Sequence, residues 1–431
     1  MTLNNEEKKI NTDISIRPFR FITLEKFEIK KSIYSHSHLD IKGLIQQENV
    51  DEYLDYLDEE KPEIIVKYKS TEPDTLFRGF VTDYDYYFDE YTNSLSIKAV
   101  SYSMLLSYQE KSRIYQNMGT SYNDIFNKLC KDNDISIRIT DSSLSMELFV
   151  SRENPVRIQY MESDWHFLRR ICSYLNELLI VDDMQEGGKK INFQIGTHNS
   201  PVKEIDFMNW TFVEKIRPGR EYSQYYTIER SRDDILVPGM RVSFNYCNES
   251  DEGLIFILIK SRIYLDNNIL YTDSTFIRED DFYIEDITRR YSIGGKVFKG
   301  EVMQISPDKK LKIYFLEIED DFDEYSSFWF PLTCIYWNFS NVLKVGDIVD
   351  VCLLSNCEQD TNESNLFTGT VKTQELSADV FIEDKIDGFI DNLIVDLYTR
   401  KNSFFINPSK GDLNSEFMEV FWIRYKKEQD F

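Results

Sequence analysis

Residues Tyr160 to Gly196 read YMESDWHFLRRICSYLNELLIVDDMQEGGKKINFQIG, and the period of their apolar residues changes along the way. Trp165, Leu168, Ile171, Cys172, Leu175 and Leu179 fall mostly at spacings of three and four, which places them on one helix face, and Ser163 stands where an N-cap hydroxyl is needed. After Leu178 to Val181 comes a polar reversal containing Gly187 and Gly188, and then Ile191, Phe193 and Ile195 alternate with polar residues. The drop from a period of about 3.6 to one of about two predicts an amphipathic helix followed by a β-hairpin.

Upstream, Phe19 to Ile45 reads as strands punctuated at Gly43, and His36 and His38 alternate on one of them. Asp51 to Glu60 reads as a polar connection. Glu63 to Tyr68 and Leu76 to Tyr84 make two strands around a turn at Pro73, and an acidic loop from Tyr86 to Asn93 leads to Ser94–Val100, where Leu95, Ile97 and Ala99 alternate. Ser121, followed three residues on by Asp124, predicts a capping box for a short helix burying Ile125, Phe126 and Leu129.

Downstream, Asn209 to Ile228 is strand-like, with the tyrosines Tyr222, Tyr225 and Tyr226. Pro238 and Gly239 form a turn before a strand whose Met240, Val242, Phe244 and Tyr246 share a face. Leu254–Tyr264 and Leu270–Ile277 follow as strands. Glycines near Ser292 to Gly295 mark a boundary. The next module has strands at Gly300–Ser306, Leu311–Ile318 and Phe328–Pro331, then Val345, Gly346 and Asp347 turning into Ile348–Val351, and an end at Phe367, Gly369 and Val371. Five short strands over roughly eighty residues suit an OB-type barrel. Beyond it, Phe389–Tyr398, Phe404–Ile406 and Phe417–Tyr425 are strand-like.

Several of these segments carry residues in an order that resembles the VgrG and phage late control protein D family, the hub or spike proteins of contractile tails and contractile injection systems. They are Tyr160, Glu162, Ser163, Asp164, Phe167 and Leu168 (Y-x-E-S-D-x-x-F-L); Gly79 to Thr82 (G-x-V-T); and Ser112, Arg113, Ile114, Tyr115 and Gln116 before the capped helix. Pro238, Gly239 and Val242 match a P-G-x-x-V strand; Val345 to Val349 match V-G-D-x-V, and Gly369 and Val371 a closing G-x-V. The resemblance spans roughly Ile16 to Lys372. It implies a mainly β protein with a few short helices (α+β), built from two related tail-hub β-barrels and an OB-fold barrel.

On that basis the expected organisation is a polar tail at 1–15, a first hub barrel with inserted helices at 16–200, and a second hub barrel at 201–292. An OB-fold barrel at 293–375 and a C-terminal β extension at 376–431 complete it. Many family members continue into a triple-stranded β-helix of short repeats, and no such period is evident here. The implied partners are two further copies in a homotrimer, a hexameric tail-tube protein, a separate spike-tip protein and other baseplate proteins. A membrane enters only as the target of puncture.

Length and composition agree with a large β protein. The 431 residues suffice for two to four domains, and an aromatic content of 14 % with few glycines and prolines suits pleated, half-buried surfaces. A net charge of −25 without a Lys/Arg cluster argues against a nucleic-acid groove, because phosphate binding needs clustered cations. Asp320, Asp321, Asp323 and Glu324 would likewise repel a strand stacked on the OB barrel.

No residue stands out as catalytic, cofactor-binding or metal-ligating. G-x-S-x-G, P-loop and H-E-x-x-H patterns are absent, and no cofactor is implied. The cysteines at 130, 172, 247, 334, 352 and 357 show no C-x-x-C pair and read as thiols of a reducing compartment, with Cys352 and Cys357 the one close pair. Two histidines at 36 and 38 could hold a metal only with outside ligands. The polar N-terminus has no signal-peptide core, and the longest apolar run, Leu254 to Ile259, is too short to span a bilayer. The expectation is a non-enzymatic protein made in the bacterial cytoplasm, assembled into a phage-tail-like particle and released by lysis. Three alternatives from the same reading are a type VI spike carrying effectors, a tail-tip peptidoglycan hydrolase and a carbohydrate-binding β protein.

Overall fold

The structure, a computed structural model, describes residues 13–69, 74–89, 91–140, 156–185, 190–197, 201–206, 211–216, 224–232, 235–245, 254–282, 297–308, 310–330 and 343–353. It also describes the strands 367–372, 393–396, 403–408 and 422–424. The chain divides into two compact units. The first comprises Met1–Arg113, Met118–Ser151 and Ile158–Arg290; the second comprises Ile114–Asn117, Arg152–Arg157 and Tyr291–Phe431.

The first unit opens with β1 (Ile14–Arg17), β2 (Phe21–Ser32), β3 (His38–Ile45), α1 (Val50–Leu57), β4 (Glu63–Tyr68), β5 (Thr75–Phe88) and β6 (Asn93–Ser101). β7 (Glu110–Tyr115), α2 (Tyr122–Asn133), β8 (Ser136–Ile139), β9 (Arg157–Ser163), α3 (Asp164–Tyr174), β10 (Leu179–Val181) and β11 (Asn192–Ile195) follow. Next come β12 (Lys203–Asp206), β13 (Thr211–Ile216), β14 (Gln224–Arg232), β15 (Arg241–Asn245), β16 (Ile255–Asp266) and β17 (Ile269–Arg278). The two sets of long strands are one sheet, in the order β1-β4-β5-β6-β3-β2-β16-β17-β14-β13, with β15 joining β16 and β12 joining β15. The seam is β2 against β16, antiparallel, running from Lys260 opposite Ser32 to Tyr264 opposite Glu28.

β16 explains the longest apolar run in the sequence. Phe256 and Leu258 point into a core with Ile228, Val242 and Phe276, while Ile257 and Ile259 pack on the other face against Leu178, Ile180 and Ile277. A strand covered on both faces loses the alternation that marks a half-buried one. β16 and β17 are joined through Asn267 and Asn268, both at positive φ, the geometry of a two-residue hairpin turn whose twist matches its strands.

Some sequence expectations need correction. Asp51 to Glu60 is not a connection: it holds most of α1, which buries Val50, Tyr53 and Leu57 in the core of the first strands. Those residues stand at i, i+3 and i+7, and the acidic residues between them occupy the solvent face. Gly43 does not end a strand. β3 runs through it opposite the bulges of β2, where a Cβ would lie 2.3 Å from the Thr23 carbonyl oxygen. The acidic loop expected over Tyr86–Asn93 is narrower, because β5 continues to Phe88. α3 stops at Tyr174, with Asn176 at φ 52° just beyond its C-cap Leu175, so Leu179 belongs to β10.

The predicted hairpin after α3 is present, with β10 antiparallel to β11, but β8 adds a third strand parallel to β11. Asn192 and Gln194 are therefore buried as well as Phe193 and Ile195. The reversal at Gly187 and Gly188, the turn at Pro73, the boundary at Ser292–Gly295, and residues Tyr222, Tyr246 and Cys357 lie outside the described residues.

In the second unit, β18 (Val297–Ile305), β19 (Leu311–Phe315), β20 (Glu319–Asp320), β21 (Ile348–Leu353) and β22 (Phe367–Lys372) follow in the chain. Their sheet order is β19-β18-β21-β22, and Phe330 bridges to Leu311 on the outer side of β19. This is the Greek-key order of the expected OB-type module. Phe298, Val302, Ile313, Phe315, Phe330, Val349 and Val351 are buried there. β23 (Leu393–Asp396), β24 (Ser403–Pro408) and β25 (Trp422–Arg424) form a separate antiparallel sheet; β23 and β25 lie within, and β24 extends beyond, the strand-like C-terminal stretches.

Gly79 in β5 pairs with Ser101 of β6, and a Cβ there would sit 2.1 Å from the Val100 carbonyl oxygen and 2.7 Å from the Phe77 ring. Overpacking of this kind costs about 1–3 kcal/mol. Gly79→Ala is expected to lower the urea midpoint accordingly, and an unchanged midpoint would contradict the close β5–β6 approach.

Candidate functional site

The residues of the Y-x-E-S-D-x-x-F-L stretch converge at the start of α3. Ser163 is the N-cap; its Oγ accepts from the His166 amide at 3.3 Å and hydrogen-bonds the His166 ring. Asp164, the first residue of the helix, is 3 % exposed and binds donors on both carboxylate oxygens. Oδ1 accepts from Arg113 Nη1 at 2.7 Å and Gln159 Nε2 at 2.9 Å; Oδ2 accepts from Asn133 Nδ2 at 2.8 Å and from Lys111. Arg113 extends the network to Gln159 Oε1 at 3.1 Å and Asp132 Oδ2 at 2.7 Å.

Beside it, the buried Glu162 holds Arg170 in a fork, with Nε to Oε1 at 3.1 Å and Nη2 to Oε2 at 2.7 Å. Planar guanidinium and carboxylate groups match in this geometry. Arg170 Nη2 also donates to the Ile158 carbonyl at 2.7 Å, while Phe167 and Leu168 are buried. Each motif residue thus caps, clamps or fills the junction of β7, β9, α2 and α3. Burial alone would raise the Asp164 pKa, but its bonds to Lys111 and Gln159, the charge of Arg113 and the bond from Asn133 outweigh that and hold it below the ordinary carboxylate value.

A second polar junction lies in the other unit. Gln116 is fully buried; its Nε2 donates to the Ile313 carbonyl and to Asp320, each at 2.8 Å, and its amide to Asp321 Oδ1 at 2.6 Å. The Phe315 amide also donates to Asp320 at 2.8 Å. Burial pushes the Asp320 pKa up to about 6, against these hydrogen bonds, and the neighbouring Asp321 charge adds to the rise.

The histidines are separated in role. His36 precedes β3 and is hydrogen-bonded to the Ser103 and Ser107 hydroxyls at 2.7 and 3.0 Å, with its ring 4.2 Å from that of Trp165. Burial, then the nearby His38, Arg169 and His166 charges, depress its pKa to about 3, so it is a neutral packing residue at ordinary pH. Among the described residues no group of three or more His, Cys, Asp and Glu is placed to hold a metal ion. Cys130 and Cys172 are free thiols, and no helix among the described residues is long and apolar enough to cross a membrane.

Three large apolar side chains at the β5–β6 hairpin are exposed. Tyr87, Phe88 and Tyr91 are 58, 76 and 90 % exposed. Asp89 shapes the turn by accepting from the Tyr91 and Thr92 amides at 2.8 and 2.7 Å. Beside the turn is an open cleft of about 600 Å³, lined by residues including Ile22, Leu44, Gln47 and Tyr91. Sequence reasoning missed this surface because its aromatics sit in an acidic run that reads as a solvated loop. It also missed Lys111, Gln159 and Arg170, whose partners are set by packing and not by spacing.

No family model matches the sequence, and comparison with curated proteins finds no match. Solved structures do share the fold. One is the Escherichia coli c3393 protein, described as a type VI secretion component similar in structure to the T4 bacteriophage tail proteins gp27 and gp5. It aligns over 83 % of this chain and 99 % of its own, with TM-score 0.55 and 14 % identity. Another is the lidded PdpA–VgrG complex of Francisella, over 90 % of this chain and 72 % of that one, with TM-score 0.50 and 10 % identity. The chain therefore has the tail-hub fold that its sequence motifs resemble.

Asp164 and Asp320 give opposite pH responses. The depressed pKa of Asp164 supplies stability that is present above its unfolded value near 3.9 and lost as pH falls through the folded one. The raised pKa of Asp320 works the other way: its contribution is full below about pH 4 and lost as pH rises through 6, on the order of 3 kcal/mol over two pH units. Asp320→Asn should flatten the loss of hydrogen-exchange protection in β18–β19 between pH 4 and 7. Asp164→Ala, which removes the acceptor shared by Arg113, Gln159, Asn133 and Lys111 and leaves Arg113 with Asp132 and Gln159, should cost about 3 kcal/mol in urea denaturation at pH 7.

Proposed function

We propose that this chain is a structural hub, or spike base, of a contractile injection particle of the phage-tail or tail-like bacteriocin kind. Three copies would form a ring that adapts a hexameric tail tube to a central spike supplied by a separate tip protein. The observation that carries this reading is the continuous sheet of two strand sets followed by a Greek-key module. The same arrangement is matched by c3393 over 99 % of that protein's length. A chain holding two hub barrels presents six similar modules in a trimer, so a threefold ring can meet a sixfold tube, and head-to-tail interfaces that close give such a ring.

The role is mechanical and non-enzymatic. The motif residues are engaged in capping and clamping α3, and the particle's work requires rigid joints, which buried and fully paired polar groups supply. The acidic surface would repel nucleic acid in any channel the ring lines. We place the protein in the bacterial cytoplasm during assembly and then in the particle, outside the cell after lysis.

A type VI spike carrying effectors is the second reading. What favours it is that the two solved structures described above carry type VI or VgrG names in their descriptions.

Light scattering of the purified protein is expected to give three times 51.3 kDa, and electron microscopy to show rings with a central channel. Peptidoglycan zymography is expected to stay blank. A monomer that remains monomeric with its cognate tube protein would overturn the hub reading, and a zone of lysis would overturn the non-enzymatic one.

A further inference from the structure

β5 is longer than the strand on its outer side. β4 pairs with it only as far as Phe80, and the last backbone bond on that side runs from the Val81 amide to the Pro62 carbonyl at 2.9 Å. From Asp83 to Phe88 the strand is paired with β6 alone, and among the described residues no strand pairs with its other edge. The Asp89 amide bonds the Thr92 carbonyl at the turn. In an antiparallel ladder alternate residues face the partner, so the N–H and C=O groups of Tyr84, Tyr86 and Phe88 face outward. An open edge of this length is a template for another strand, and proteins usually blunt such edges.

This edge is guarded against one kind of strand only. Thr82 to Asn93 contains Asp83, Asp85, Asp89 and Glu90 and no lysine or arginine. A second copy pairing edge to edge would set carboxylates against carboxylates, whereas a basic strand would neutralise them. Among the described carboxylates, Asp83 has a cation, Lys98 at 2.9 Å, whose charge also acts on Asp85. The aromatics argue that the edge is used. Tyr87, Phe88 and Tyr91 are exposed where a merely solvated hairpin would carry polar residues. Tyr and Phe are the residues enriched at interface centres.

We infer that the Asp83–Phe88 edge is a β-augmentation site for an extended, lysine- or arginine-rich segment of a partner protein. Backbone bonds to Tyr84, Tyr86 and Phe88 would supply affinity, and the carboxylates the selection of charge.

The test uses the full chain and two capped heptapeptides, one alternating valine with lysine and the other valine with glutamate. Hydrogen exchange is expected to show protection of residues 83–88 with the lysine peptide only, and the affinity to fall about tenfold or more in 0.5 M salt. Tyr86→Pro removes one outward N–H without removing a β5–β6 backbone bond, losing only the bond from the Tyr86 hydroxyl to Asn93 Oδ1, and should abolish protection. Asp85→Lys, outside the turn, leaves the backbone bonds in place and should weaken the lysine peptide about tenfold while admitting the glutamate one. Absence of protection, equal binding of both peptides, or indifference to both variants would overturn the site. Self-association that Tyr86→Pro abolishes would overturn the choice of partner and make the occupant a second copy.

Discussion

The pairing of β2 with β16 is the constraint on which the first unit depends. These strands are more than two hundred residues apart in the chain, yet five registered pairs from Ser32–Lys260 to Glu28–Tyr264 join the strand sets on either side into one sheet. The half-exposed Arg262 reinforces the seam by pairing with Glu28 of β2 and Asp273 of β17. Burial tends to raise the Glu28 pKa, but Lys30 and Arg262 overcome that and keep it low, so the seam stays charged. Closing a loop of this length costs entropy that grows with the logarithm of its length. The closure is held because β16 is buried on both faces, giving it apolar contacts to two cores at once.

The α3 junction then fixes what is laid over the sheet. β10, which follows α3, contributes Ile180 to the core outside β16 and β17, and the buried Lys31–Asp183 pair ties β2 to the segment after β10. Buried ion pairs of this kind contribute more to a unique arrangement than to net stability, because desolvation offsets much of their attraction. The motif residues Glu162, Ser163 and Asp164 are buried supports of the α3 junction, whereas large exposed apolar side chains stand elsewhere, as on the β5–β6 hairpin.

The acidic runs of the sequence have three fates that composition cannot separate. One, Asp51 to Glu60, becomes the solvent face of α1, because Val50, Tyr53 and Leu57 between the carboxylates find a core. Another, Asp83 to Glu90, becomes an open strand edge with exposed aromatics. A third, around Asp320 and Asp321, folds inward to receive Gln116, and Asp320 responds with a raised pKa. Charge pattern is a local property, whereas burial depends on what the rest of the chain brings.

The sequence by itself determined the elements whose signals are local. The Ser121–Asp124 capping box, the Ser163 cap, the alternating Leu95, Ile97 and Ala99, the Pro238–Gly239 turn and the three C-terminal strands follow from periodicity and turn chemistry over ten residues or so. The tail-hub fold itself was pointed to by the resemblance of the residue motifs on those elements to a known family. Only the tertiary structure decided that β8 would join β11 in parallel, that Asn192 and Gln194 would be buried, and that Asp164 would gather Lys111, Arg113, Asn133 and Gln159. The physical reason is range. Periodicity reports which side of an element is apolar, but a partner strand or a buried donor is chosen by contacts between residues that are neighbours only after the chain has closed.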